Sequence, residues 1–155
     1  MTERTHRLAE TLLERGVNSI IYPYVVSYIK NVDESWNYIL PGDLKEELEK
    51  TPDRYFLLDV RKADVYNEGH IPGSVNIFWL DLFKLENLEK LPFDKTIVVI
   101  CYIGHTASQA LTLLRLLGYD AITLKFGMGV SPDPKVPVKG WLSLGFPVEK
   151  TEAAK

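Results

Sequence analysis

The sequence predicts an α/β fold: a parallel sheet with helices on both faces. Three observations carry this expectation. "RYFLLDV" (54–60) and "KTIVVI" (95–100) are continuous apolar runs, the mark of strands buried on both faces. "SVNIF" (74–78) and "AITLK" (121–125) are further strand-like runs. Helix-length segments separate the strands, which implies βαβ units.

The elements follow in order. Thr5–Arg15 places Leu8, Leu12 and Leu13 at helical spacing, and Gly16 ends it. Residues 17–35 read either as a short strand and a helix or as one helix with Pro23 in its first turn. "YILPGDLKEELEK" predicts a strand at Asn37–Leu40, a Pro-Gly turn, then a helix through Leu44 and Leu48. "DLFKLENLEKL" (81–91) is a helix or an irregular crossover. "ASQALTLLRLLG" (107–118) is apolar nearly all round and is expected to be a well-buried helix. "GMGVSPDPKVPVKGW" (127–141) holds three prolines and three glycines and is expected to be a long loop. A short helix is expected at Trp141–Leu144. Residues 1–35 are expected to form an N-terminal helical extension, and residues 36–155 the main domain.

The chain has 155 residues, enough for one domain with a short extra segment. Its apolar fraction of 46% and charged fraction of 25% are those of a globular protein. A net charge of −3 argues against a nucleic-acid or anionic-membrane binder. The most apolar stretch, Val17–Ile29, is short of a membrane span and contains Asn18, Ser19, Pro23 and Ser27. The start carries Glu3, Glu10 and Glu14 and lacks a signal-peptide pattern, so a cytoplasmic location is expected.

Cys101 is the only cysteine. It can make no internal disulfide, and no multi-cysteine metal site exists; neither metal nor cofactor is expected. A lone cysteine is most often an inert core residue. Cys101, however, stands just after the strongest strand, and ligands of open α/β sheets bind outside the carboxyl ends of the strands. Tyr102, Ile103, Gly104, His105 and Thr106 follow, and then the helix begins. Gly104 permits a tight curl whose backbone N–H groups form an anion-binding nest, and the helix adds its positive end. A sulfur facing this cradle is expected to be a nucleophilic thiolate. Thr106 is read as the helix N-cap or as a hydroxyl donor to the bound anion. His105 either lends a polar contact at the rim or simply faces solvent.

Two stretches, "LLDVRKADVYNEGHIPGSVNI" (57–77) and "CYIGHTASQALTLLRLLGYDAITLKFGM" (101–128), resemble the rhodanese (sulfurtransferase) family. The likeness extends over residues 38–148. It implies a rhodanese-like fold with a five-stranded parallel sheet. It also implies that Cys101 becomes a persulfide, taking sulfur from thiosulfate or another sulfane-sulfur donor and passing it to cyanide or a thiol. Tyr102, Ile103, Gly104, His105, Thr106 and Ala107 would form the substrate-binding loop. Asp59, Arg61, Glu68 and His70 would support it, through an Arg61–Glu68 or an Arg61–Asp59 ion pair and a turn built on His70, Pro72, Gly69 and Gly73.

Two other classes compete. Phosphatases and arsenate reductases grip a tetrahedral anion with an arginine at the sixth position after the cysteine. Here that position is Ala107, and the loop has no arginine. A non-catalytic interaction module would typically lack the cysteine. A third possibility keeps the chemistry but takes the sulfur from a partner protein in a relay. The absence of a loop arginine leaves thiosulfate mainly to backbone N–H groups, so the natural donor need not be thiosulfate. The 127–140 loop is longer than a compact member needs. Its Lys135 and Lys139 either bring positive charge to the active-site mouth or sit on a solvated surface loop.

Overall fold

The computed structural model describes residues 21–32, 34–129, 135 and 139–151. The helix expected at Thr5–Arg15 lies outside the described residues. The chain divides into two compact units, Met1–Asp33 and Glu34–Lys155.

In the first unit, the described part of the ambiguous stretch holds one helix, α1 (Ile21–Lys30). Pro23 falls in its first turn, where a missing N–H breaks no helical hydrogen bond. None of the ten residues of α1 is buried.

The second unit is built on five strands: β1 (Tyr38–Ile39), β2 (Tyr55–Asp59), β3 (Val75–Asn76), β4 (Thr96–Ile100) and β5 (Ala121–Leu124). All pairings are parallel, in the order β1-β5-β4-β2-β3. The helices are α2 (Pro41–Lys50), α3 (Ala63–Glu68), α4 (Leu85–Leu88) and α5 (His105–Leu116).

The period-2 geometry of β4 explains why it is apolar throughout. Ile97, Val99 and Cys101 join one core cluster with Leu58, Val60 and the inner side of α5. Val98 and Ile100 join the other, with Leu57, Leu124 and Leu44 of α2. Cys101 therefore lies on the α5 side of the sheet. That side is closed by Ala107, Ala110, Leu111 and Leu114.

Several elements differ from expectation. Pro41 and Gly42 form no separate turn, because Pro41 opens α2 directly. Proline fits a first helical position, where its fixed φ suits the helix. Of the two alternatives for residues 81–91, the irregular crossover holds: they are mostly turns around the single-turn α4. Residues 141–145 are turns, not a helix. Helix α3 was not expected; its six residues are too few to display an apolar period. Helix α5 is one-sided: Leu113 and Leu117 beside it are 41% and 52% exposed. Among the described residues, no helix is long and apolar enough to cross a membrane.

Candidate active site

Cys101 follows β4 directly, at the carboxyl edge of the sheet. It is 2% exposed. Its Sγ accepts hydrogen bonds from the backbone N–H of Gly104 at 3.2 Å and of Ala107 at 3.4 Å. The intervening residues curl around the sulfur because Gly104 adopts φ 101°, ψ −16°. A side chain would be strained in that left-handed region.

Gly104 is also the N-cap of α5, which removes the first of the two readings of Thr106, as the cap. Thr106 lies one residue inside the helix start and is half-buried. The Gly104 carbonyl accepts the Ser108 N–H at 3.0 Å and the Ser108 hydroxyl at 2.8 Å. His105, the first residue of α5, is exposed; Tyr102 and Ile103 are half-buried. The side chain of Ala107 is fully buried.

The loop leans on the segment after β5. Met128 N–H donates to the Cys101 carbonyl at 2.9 Å, and Gly129 N–H to the Tyr102 carbonyl at 3.0 Å. The approach is so close that a Cβ on Gly127 would stand 2.3 Å from the Cys101 carbonyl oxygen. This glycine-rich stretch was not among the expected site residues. Its signal in the sequence is the pair Gly127 and Gly129 just after a strand.

On the other side, β2 ends in a buried ion pair. Asp59 and Arg61 are 0% and 2% exposed. Arg61 Nε donates to both Asp59 carboxylate oxygens at 3.0 Å, and Nη2 donates to Oδ2 at 2.7 Å. Nη2 also donates to the Gly69 carbonyl at 2.8 Å. Arg61 thus takes Asp59 as its partner; Glu68 is exposed on α3 and forms no ion pair with it. Asn76, another residue the sequence did not single out, donates from Nδ2 to the carbonyls of Asp59 and Arg61 at 2.9 and 2.8 Å.

His70 is buried in the turn after α3. Its ring stacks on Tyr66 with centroids 3.8 Å apart, and its Nδ1 lies 2.9 Å from the Tyr66 carbonyl. Its backbone exchanges two hydrogen bonds with Glu149, at 3.0 and 2.9 Å. The Tyr66 hydroxyl donates to the Ser74 carbonyl. The ring of His70 thus packs within this turn, while its backbone ties the turn to Glu149.

Tyr102 links the two sides. Burial pushes its phenol above the ordinary value, and the charges of Asp64 and Asp59 add to the rise. The Arg61 guanidinium and a hydrogen bond with the Lys62 backbone oppose it. Lys135 and Lys139 are both exposed. Among the described residues, no group of three or more His, Cys, Asp or Glu side chains is arranged to hold a metal ion.

A protein named tRNA sulfurtransferase from Pyrobaculum aerophilum is 33% identical over 85 residues, covering 55% of this chain and 17% of that protein. The adenylyltransferase and sulfurtransferase UBA4 of Yarrowia lipolytica is 29% identical over 106 residues, covering 61% of this chain and 27% of that protein. The chain thus corresponds to only a small part of either relative. The crystal structure of a rhodanese-related protein from Thermoplasma volcanium superposes with a TM-score of 0.58 at 28% identity, covering 72% of this chain and 96% of that one. The family model described as "Rhodanese-like domain" matches residues 40–129, which run from the end of β1 through the Cys101 loop to the Gly127–Gly129 backing. By that match, which takes in more than half of its residues, the chain belongs to the rhodanese-like domain family.

Proposed function

We propose that the protein is a sulfurtransferase that carries sulfane sulfur on Cys101. The observation that carries this reading is the pair of N–H bonds from Gly104 and Ala107 to Sγ. Two aligned donors at a helix start favour a sulfur anion, whether thiolate or persulfide. The relatives' names, both containing sulfurtransferase, support the same chemistry.

The reaction runs in two displacements. The Cys101 thiolate attacks the outer sulfur of the donor, forming an S–S bond while the donor's S–S bond breaks. With thiosulfate the leaving group is sulfite. The terminal sulfur of the Cys101 persulfide then passes to cyanide, giving thiocyanate, or to a thiol, giving a new persulfide. In each case the cysteine returns as thiolate. The loop amides hold the anion through both steps without reorganising. Support from Asp59 and Arg61, and from the turn at His70, is positional: none of these side chains faces the sulfur through a hydrogen bond.

The Cys101 loop has no arginine, and its one ionisable side chain besides Tyr102 and the cysteine is the exposed His105. That favours a donor already bound to a partner protein, as in a sulfur relay, over free thiosulfate. Phosphoryl chemistry is disfavoured on the same ground. The position where a phosphatase would put its arginine is the buried Ala107, whose N–H is directed at Sγ.

Intact mass tests the proposal. Incubation with thiosulfate is expected to add about one sulfur atom (about 32 Da), and cyanide to remove it. The Cys101→Ser protein is expected to gain nothing. Sulfur transfer by that variant would end the assignment.

A further inference from the structure

The face of the sheet away from Cys101 carries a cavity that the sulfur chemistry does not use. Its volume is about 470 Å³, within the range of small-molecule sites. Tyr55, Leu57, Ile71 and Trp141 line it, and all four belong to the core cluster that takes in Leu44 of α2. Cys101 belongs to the other cluster. The apolar floor of the cavity and the sulfur are thus on opposite faces of the sheet.

The walls are stiff. One is a single face of α2, where Lys45, Leu48 and Glu49 stand at helical spacing. Pro72 and Pro147 bring backbone of fixed φ. The Trp141 indole Nε1 donates to the Pro147 carbonyl at 2.7 Å, and its ring meets Phe146 edge-on with centroids 5.1 Å apart. The indole is therefore held in place before a ligand arrives, which lowers the ordering cost of binding. Charge is uneven: the described lining residues include two lysines and one glutamate. Lys45 and Glu49 pair with each other. Lys95, the residue before β4, is half-buried, and among the described residues no ion pair engages it. A half-buried ammonium without a counter-charge, at an aromatic-lined apolar cavity, is matched by a ligand that joins an apolar ring to one negative charge.

We infer that this cavity is a binding site for a small aryl carboxylate, with the ring against Tyr55 and Trp141 and the carboxylate accepting from Lys95 Nζ. The site goes beyond the sulfur-carrier reading of Cys101 and does not depend on it. No covalent step is involved; the ligand is held by apolar contact and one charge-assisted hydrogen bond.

The chain has three tryptophans, and of these Trp141 lines the cavity while Trp36 and Trp79 do not. In a titration with naphthoate followed by NMR, the Trp141 indole N–H signal is expected to move, with the other two indoles and the Gly104 amide unmoved. Neutral naphthamide is expected to bind about tenfold more weakly, as for a lost hydrogen bond between charged groups. Lys95→Gln removes no ion pair and is expected to melt as the native protein does. It is expected to weaken naphthoate binding about tenfold and to leave naphthamide binding unchanged. The Cys101→Ser protein is expected to bind naphthoate with native affinity, so a failure of the carrier reading leaves this site standing. Movement of the Gly104 amide in place of the Trp141 indole would put the anion at the sulfur loop and overturn the cavity site. A naphthoate affinity unchanged by Lys95→Gln, or no better than that of naphthamide, would overturn it as well, whatever Cys101 carries.

Discussion

The two sides of the candidate site handle negative charge by opposite means. At the end of β2, the Asp59 carboxylate is matched by a full guanidinium, and both are sealed from water. At the end of β4, the Cys101 sulfur is met, among the described residues, by backbone N–H groups. The difference explains why a nearby arginine does not serve as the substrate's cation. The Nε and Nη2 groups of Arg61 are already bonded to Asp59 and to the Gly69 carbonyl. A permanent internal charge is fixed with a permanent counter-charge. On the proposed carrier reading, the charge on the sulfur comes and goes during turnover, and amides tolerate both loaded and empty states.

Substitutions break this comparison in a graded order. Arg61→Ala leaves the Asp59 carboxylate buried without its partner and is expected to cost about 3–5 kcal/mol, read as a fall in denaturation midpoint. Arg61→Lys keeps the charge but loses the fork that reaches both carboxylate oxygens and the Gly69 carbonyl; it is expected to recover only part of the loss.

Next comes Gly127→Ala, which strikes the sulfur loop through backbone contact. Its Cβ would stand 2.3 Å from the Cys101 carbonyl oxygen and 2.9 Å from the Tyr102 carbonyl carbon. The expected cost is about 1–3 kcal/mol, with sulfur uptake from thiosulfate sharply reduced because the loop must move. Native uptake in this variant would show that loop shape does not govern the chemistry.

Gly104→Ala acts by conformation alone, since its nearest contacts would be ordinary ones at 3.6 and 3.8 Å. About 1–2 kcal/mol is expected from forcing a side chain to positive φ, together with slower sulfur uptake as the N–H swings off Sγ. Smallest is Glu68→Gln, expected to change stability by less than about 0.5 kcal/mol. A larger drop on thermal melting would mean that Glu68, not only Asp59, balances Arg61.

The central strands and the thiol at their carboxyl edge were legible because β2 and β4 are buried on both faces, which forces unbroken apolar runs. Gly104 was legible as a point of curl, but its role as N-cap was not. Spacing shows where a chain can bend, whereas a cap depends on which residue takes the non-helical dihedrals; Thr106 had the preferred chemistry and the wrong position. The partner of Arg61 was equally hidden. Asp59 and Glu68 carry the same charge, and only the closing of the chain after α3 brings the Gly69 carbonyl to Nη2 and leaves Glu68 outside. Helix α3 escaped notice for want of length, and with it Tyr66 as the stacking partner of His70.

Gly129 and Gly140 touch backbone to backbone: a Cβ on either would fall within 2.6 Å or less of the other's nitrogen. Beside them Trp141 N–H bonds the Gly127 carbonyl at 3.0 Å, and Leu142 N–H the Met128 carbonyl at 2.9 Å. The chain therefore departs at Gly129 and returns at Gly140 with the two points in backbone contact. Doubling the length of such an excursion adds only about 0.6 kcal/mol of closure entropy. This makes the span a natural port for grafting, where a foreign peptide can be displayed a few residues from the sulfur loop while the sheet keeps its register.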